Sequence, residues 1–187
     1  MSSPKIYTGT GDDGSTGLFY GGRVPKDSAL PMAYGAVDEA QAFLGVARAQ
    51  VDLAPSAEMG AELDEVLSGI CRDLYVLMAE LATAHENHEK LEYGTSRVAV
   101  EMADALESQI DDFKSRFEAP AHFAVPGQDP LSASLDVART VIRRAERASV
   151  AAVADGSHVL VYLNRLSDLV WTLARWVEGT TILAKDG

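Results

Sequence analysis

Four arginines fall within nine residues of the stretch "VARTVIRRAERA": Arg139, Arg143, Arg144 and Arg147. Guanidinium forks match the oxygens of phosphates and carboxylates, so such a cluster suits a polyanion such as a nucleoside triphosphate. At about 100° per residue, Arg139, Arg143 and Glu146 lie within about 60° of one another on a helix, and Arg147 lies about 40° further round. Ala138, Val141, Ile142, Ala145 and Ala148 take the opposite side. A solvated basic face with pairs to Glu146 is the plainer alternative. A second stretch, "YTGTGDDGSTGLF" from Tyr7 to Phe19, puts Gly9, Gly11 and Gly14 in G-x-G-x-x-G spacing. Small hydroxyls alternate with its glycines, and it runs on to Arg23 and Lys26. Successive free backbone N–H groups in such a loop can form an anion nest; a disordered tail is the competing possibility. A third stretch, "VLVYLNRLSDLVWTLARW", places Asn164, Asp168, Trp171 and Arg175 on one helix face, opposite Leu163, Leu166, Leu169, Val170, Leu173 and Val177. Asn164 and Asp168 are costly in so leucine-rich a helix unless a neighbouring helix, for instance through Arg143 or Arg147, supplies a partner.

Other chemistries fit less well. A dinucleotide fingerprint needs a buried strand before the glycines and a packed helix opening from the last one. Here "STGLFYGGRVPKD" follows Gly14, with three more glycines and a proline. The G-x-x-x-x-G-K-[ST] pattern is absent, as is a convincing catalytic triad. In "HENHE" the histidines His85 and His88 stand three apart, not the four of H-E-x-x-H, and a polar turn is expected. No metal site is expected. Cys71 lies among Ile70, Leu74 and Leu77 and reads as a small buried hydrophobe. Tyr162 and Trp171 read as core aromatics, with stacking on a bound ring as the alternative.

The elements that must carry these residues are helical. The chain has 187 residues and is 47% hydrophobic, enough for one domain with a substantial core. Residues 1–26 read as a loop or a short strand plus loop, 27–180 as a helix bundle and 181–187 as a tail. Apolar periodicity predicts helices over 31–51, 57–84, 95–118, 131–153 and 157–178, with Thr95 as an N-cap and Asp155-Gly156 as a tight link. This makes an all-α five-helix bundle with an N-terminal glycine-rich loop. A net charge of −12 disfavours a general nucleic-acid binder. No apolar run approaches the ~20 residues that span a bilayer. "MSSPK" opens no signal peptide, and the single cysteine excludes an internal disulfide, so a cytoplasmic location is expected.

Together, "KIYTGTGDDGSTGLFYGGRVPKD", "AYGAVDEAQAFLG", "FAVPG" with "ARTVIRRAER", and "VLVYLNRLSDLVWTLAR" resemble the PduO-type cob(I)alamin adenosyltransferases, also called corrinoid adenosyltransferases. The resemblance runs from Lys5 to Arg175 in the family's order. It implies a five-helix bundle that forms a homotrimer with active sites between subunits. It implies transfer of the 5'-deoxyadenosyl group of ATP to Co(I) of the corrinoid, with Mg²⁺, making adenosylcobalamin and releasing triphosphate. Cobalt is then the nucleophile, which agrees with the missing triad. By position, Thr8, Gly9, Thr10, Gly11, Thr16, Gly17 and Lys26 match nucleotide contacts of the wrapping loop. Arg143, Arg144, Glu146 and Arg147 match the ATP-contacting run, and Asn164 a further nucleotide contact. Asp38 and Arg139 match a pair that bridges subunits and shapes the corrin side. Phe123 matches the aromatic beneath the corrin that favours loss of the lower axial ligand. An adenosylcobalamin-dependent enzyme and a flavin reductase are the implied protein partners.

The chain departs from the family's pattern in three places. Gly9 replaces a frequent Lys or Arg, Asp13 a Lys, and Gln128 a second glycine after "PG". The Gly9 change keeps a different class in view: a carrier that binds adenosylcobalamin, or a nucleotide sensor, without turnover.

Overall fold

The computed structural model describes residues 6–184. The first five residues of the expected loop and the last three of the expected tail lie outside the described residues. Five long helices carry the architecture: α1 (Ala29–Arg48), α2 (Ala57–Leu81), α3 (Val100–Lys114), α4 (Pro130–Ser149) and α5 (Val159–Glu178). They are the all-α bundle that the periodicity predicts. The only paired strands among the described residues are β1 (Ser15–Gly17) and β2 (Arg23–Pro25), antiparallel with Thr16 opposite Val24.

Across the bundle the helices lie in the order α2-α1-α4-α5-α3, each packed on the next. Helices α1, α4 and α5 therefore have neighbours on two sides. Apolar positions at helical spacing form the shared core: Val37, Ala40 and Leu44 of α1, Leu63, Leu67 and Leu74 of α2, Ala138, Ile142 and Ala145 of α4, and Leu163, Leu166 and Leu173 of α5 are all buried. Cross-bonds fix the direction of the central pair. The amide of Gln50, just after α1, donates to Ser134 Oγ near the start of α4 at 2.9 Å. Arg144, late in α4, pairs with Glu39, in the middle of α1. The two helices are thus antiparallel.

Local chemistry sets the helix starts. Ser56 Oγ accepts from Met59 N, and Asp129 accepts from Ser132 N with Pro130 in the first turn. A 3-10 turn at Val51–Leu53 lies so close on α2 that a Cβ at Gly60 would stand 2.6 Å from the Val51 carbonyl oxygen.

Helix α3 differs from expectation. It starts at Val100 behind Ala99, not behind Thr95. The amides of Thr95, Ser96 and Arg97 all turn back onto the Glu92 carbonyl, and Glu80 of α2 takes the Val98 amide at 2.7 Å. Those backbone groups are spent on a turn docked to α2, so no helix begins there. The polar segment His85–Lys90 is a 3-10 helix. Its His85 ring bonds the Ala152 carbonyl and its His88 ring the Thr83 carbonyl, so both tie the turn to nearby backbone. Helix α4 stops at Ser149, before the expected 153, where the Ala152 amide tightens onto the Ser149 carbonyl three residues back. Cys71 is half-buried, and burial pushes its thiol pKa up. No described helix is long and apolar enough to cross a membrane.

Candidate active site

Helix α4 presents its arginines as the wheel predicts. Ala138, Val141, Ile142 and Ala145 face the core, and Arg139, Arg143 and Arg147 follow one another up the other side. Eight residues separate the first from the last, ~12 Å of helix rise. Arg143 is exposed, and its side chain has no partner among the described residues. Arg147 Nη1 donates to the Arg143 carbonyl at 2.9 Å, which folds its guanidinium back along the ribbon. Arg144 does not join them. One residue on from Arg143, it reaches sideways to Glu39 Oε2 at 2.5 Å and braces α4 on α1.

Asn164 of α5 resolves its burial through Glu146 and Arg165, not through Arg143 or Arg147. Its Nδ2 donates to Glu146 Oε1 at 3.3 Å, and its Oδ1 accepts from Arg165 Nη1 at 2.8 Å. Arg165 is held in turn by Glu107 of α3 at 2.5 Å. Asp168 points to solvent and needs no partner. One end of the ribbon thus carries a carboxylate and an amide cross-braced from α3.

The glycine-rich loop is ordered by its own cations. Arg23 crosses the hairpin, donating from Nη2 to the Thr10 carbonyl at 2.6 Å and from Nε to Ser15 Oγ at 3.0 Å. Asp13 accepts from the Ser15 amide at 2.9 Å and from its hydroxyl at 2.8 Å, which, with Arg23 nearby, holds its carboxyl below the usual range. Lys26 Nζ donates to the Gly11 carbonyl at 2.7 Å, and its amide bonds the Gly14 carbonyl. A side chain at Gly11 would crowd that ammonium, at 3.0 Å. Gly9 and Gly14 have φ of +71° and +81°, which glycine adopts without cost. Thr8 and Thr10 share a hydroxyl bond at 2.9 Å, and Thr16 and Gly17 lie in β1. The loop docks through the Phe19 amide on the Ala82 carbonyl, just past the end of α2. Among the described residues, no hydrogen bond or ion pair joins residues 8–26 to α4.

The opposite end of the ribbon meets the Phe123 loop. Phe123 is 88% exposed. Its segment pairs with the C-terminal tail: Val125 N donates to the Ile182 carbonyl at 2.8 Å, and Ala184 N to the Phe123 carbonyl at 2.7 Å. Behind it lie two adjoining cavities of about 360 and 290 Å³. Both are walled by Phe123, Ala124 and Trp171, and the smaller one is floored by Asp136, Arg139 and Arg175. Trp171 is thus a half-buried cavity wall rather than a core residue, whereas Tyr162 is fully buried.

Asp38 and Arg139 do not meet within one chain. The α1–α4 register set by Glu39–Arg144 and Gln50–Ser134 puts Asp38 level with Ala145, about six residues or ~9 Å of rise from Arg139. Arg139 instead approaches Asp136 at 3.4 Å. Arg175, on the α5 face shared with Asn164, Asp168 and Trp171, is only 2% exposed and is paired with Asp136 and Glu178. Because α5 packs on both α4 and α3, part of its polar face is interior. Asp136 lines the site and the tail at Ile182–Ala184 backs its Phe123 segment, and neither carries a motif in the sequence. The helix wheel gives no sign of the burial of Asp136, because this residue falls on the arginine side of α4, between Arg143 and Arg147.

Comparisons with known proteins converge on one family. The profile of the cobalamin adenosyltransferase family matches residues 6–177. The chain is 42% identical over 176 residues to a corrinoid adenosyltransferase of Mycobacterium tuberculosis, covering 91% of this chain and 87% of that protein. It is 38% identical over 180 residues to one of Citrobacter freundii, covering 95% and 96%. Its fold is similar to a variant PduO-type ATP:corrinoid adenosyltransferase from Lactobacillus reuteri solved with cobalamin and ATP, with a TM-score of 0.84, 28% identity and 97% of each chain covered.

Proposed function

The chain belongs to the cobalamin adenosyltransferase family, and from that membership we propose how its residues divide the work. The protein is an ATP:corrinoid adenosyltransferase, which moves the 5'-deoxyadenosyl group of ATP to the Co(I) of a reduced corrinoid and releases triphosphate. In our reading ATP occupies the Arg143–Arg147 end of the ribbon and the corrinoid the Phe123 end. The observation that carries this is the ribbon itself: one helix face joins an oxyanion site to an apolar-walled cavity over ~12 Å.

The chemistry asks little covalent work of the protein. Cobalt(I) attacks C5' of the ribose, the C5'–O bond breaks, and triphosphate leaves with the electron pair. A leaving group of that charge needs fixed cations and N–H donors at its oxygens. Arg143, with an unengaged fork, and Arg147 supply the first. Thr8, Gly9, Thr10, Gly11, Thr16, Gly17 and Lys26 supply the wrap. Lys26, which donates to the Gly11 carbonyl, exchanges that bond for a phosphate oxygen when the loop closes on ATP. Asn164, braced by Glu146 and Arg165, orients the nucleoside. Arg144 serves mainly as the α4–α1 brace.

Mg²⁺ fits this donor set. It is held by one or two carboxylates plus substrate phosphates and waters, and Glu146 offers one oxygen not engaged by Asn164. The ion, when bound, neutralises charge on the triphosphate. Phe123 with Trp171 makes the apolar wall that keeps water from a strongly reducing cobalt and disfavours a lower axial ligand.

Among the described residues, no hydrogen bond or ion pair joins residues 8–26 to α4 of the same chain. We therefore infer that the site is completed between subunits of a homotrimer, with Asp38 of one meeting Arg139 of the next. A flavin reductase supplying Co(I) and an adenosylcobalamin-dependent enzyme receiving product, all in the cytoplasm and as a single-domain chain, complete the reading.

Mixing inactive Lys26→Ala and Arg143→Ala subunits tests the shared site. After dissociation and reassembly with ATP, Mg²⁺ and chemically reduced cob(I)alamin, the adenosylcobalamin spectrum should develop. Silence in the mixture, with both parents folded and trimeric, would count against sites built from two chains. Binding of both ligands by the unmodified protein without product would favour the carrier reading.

A further inference from the structure

The Asp136 carboxylate stands between two arginines of different character. Its Oδ2 accepts from Arg175 Nη2 at 2.7 Å, and its Oδ1 from Arg139 Nε at 3.4 Å. Arg175 is 2% exposed and Asp136 7%. The Arg139 side chain, by contrast, is 30% exposed. Arg175 also lies 2.6 Å from Glu178 Oε2, though its Nε–H does not point along that contact. Two cations and two anions thus run in a chain from the end of α5 to the surface of α4: Glu178, Arg175, Asp136, Arg139.

The outermost member is held by one nitrogen only. A guanidinium has five N–H donors in a rigid fork. The contact from Asp136 uses the Nε side and leaves both terminal nitrogens of Arg139 without a partner among the described residues. A buried charge is costly to move, so Arg175 fixes Asp136, and Asp136 fixes the stem of Arg139. The fork is then preset in the lining of the cavity behind Phe123.

We propose that Asp136 is a positioning residue for the corrinoid half-reaction: anchored by Arg175, it aims the Arg139 fork. The proposal rests on the reading that Arg139 serves the corrin side. Asp136 is 7% exposed and both its oxygens are engaged by arginines, so it acts through Arg139 rather than on substrate. It acts by narrowing the orientations of Arg139, which limits the entropy lost when that fork engages a carboxylate across the interface or a polar edge of the corrinoid. A purely structural pair would instead fasten α4 to α5 and affect all properties of the protein together.

The two roles separate kinetically. Asp136→Asn keeps the shape and one acceptor but cannot hold two cations. We expect the corrinoid KM to rise about tenfold and kcat to fall several-fold, while the ATP KM stays within about twofold. In an Arg139→Ala background the same substitution should add less than twofold, because nothing remains to be aimed. If Asp136→Asn does not fold, Asp136→Glu keeps the charge but shifts it by one methylene, and should show the same corrinoid-selective loss at smaller size. Equal losses on both substrates, no loss in a folded variant, or an undiminished effect in the Arg139→Ala background would each overturn the proposal. If Arg139→Ala alone leaves corrinoid kinetics intact, the underlying reading fails and the proposal falls with it; a loss in Arg139→Ala without one in folded Asp136→Asn overturns the proposal alone.

Discussion

Replacing Arg143 by alanine is the sharpest test of the ribbon, because the structure lets its two effects be separated. The side chain is exposed, lies opposite the Ile142 and Ala145 face, and has no partner among the described residues. The Arg147 contact goes to the Arg143 carbonyl, which alanine retains. Alanine and arginine both favour helices. Stability should therefore change by less than ~0.5 kcal/mol, as for other surface positions away from caps and cores. Catalysis loses far more. A hydrogen bond to a charged group contributes about 1.5–3 kcal/mol, and a fork that grips the leaving triphosphate makes one or two. About 3 kcal/mol corresponds to ~10²-fold. kcat/KM for ATP should fall by about that factor at saturating cob(I)alamin, followed anaerobically by the appearance of adenosylcobalamin in the visible spectrum. Arg143→Lys should recover part of the loss, since an ammonium supplies charge without the planar fork. An unchanged melting temperature with turnover within threefold of the parent would refute the assignment of Arg143 to the triphosphate.

Four further outcomes follow from the geometry. Gly60→Ala should lower stability by about 1–2 kcal/mol despite alanine's better helix propensity, because the added methyl would meet the Val51 carbonyl at 2.6 Å; denaturant titration measures it. Gly9→Ala should raise the KM for ATP about fivefold, since a Cβ at φ +71° costs ~1 kcal/mol of loop order; an unchanged KM would mean that the loop closes in another conformation. Ala184→Pro removes the N–H that the tail gives to the Phe123 carbonyl and should impair corrinoid use while sparing ATP binding, seen by nucleotide titration. Asp73 is half-buried beneath the Tyr162 hydroxyl, and burial lifts its carboxyl above 3.8. The folded state then holds its proton more tightly than the unfolded one, so this group lowers stability as pH rises above 3.8 through the lifted value. Asp73→Asn keeps an acceptor for Tyr162 and should melt higher than the parent at pH 7, an advantage that fades below about pH 3.8; a lower melting temperature at pH 7 would show that the charged form is the better partner.

The bundle was legible because each helix carries its own record of burial. Leu163, Leu166, Leu169 and Leu173 recur at helical spacing and are all fully buried. The α4 arginine face was legible for the same reason, as the positions the core does not claim. Boundaries failed where side chains far away in sequence captured backbone groups. Thr95 looks like a cap, but Glu80 and the Glu92 turn take the amides on which a helix there would depend.

Motif and period together determined the class of the protein, the ribbon of Arg139, Arg143 and Arg147, and the glycine-rich loop. Local sequence sufficed there because one helix wheel or one turn supplies the whole geometry. Only the tertiary structure decided how the charges are shared. It gave Arg144 to Glu39, Asn164 to Glu146, Lys26 to a loop carbonyl, and Arg175 to the interior beside Asp136. It also joined the tail to the Phe123 segment. Each of those choices sets two groups distant in the chain within about 3 Å, and electrostatic preference at that range depends on which helices are neighbours, a fact no single helix wheel contains.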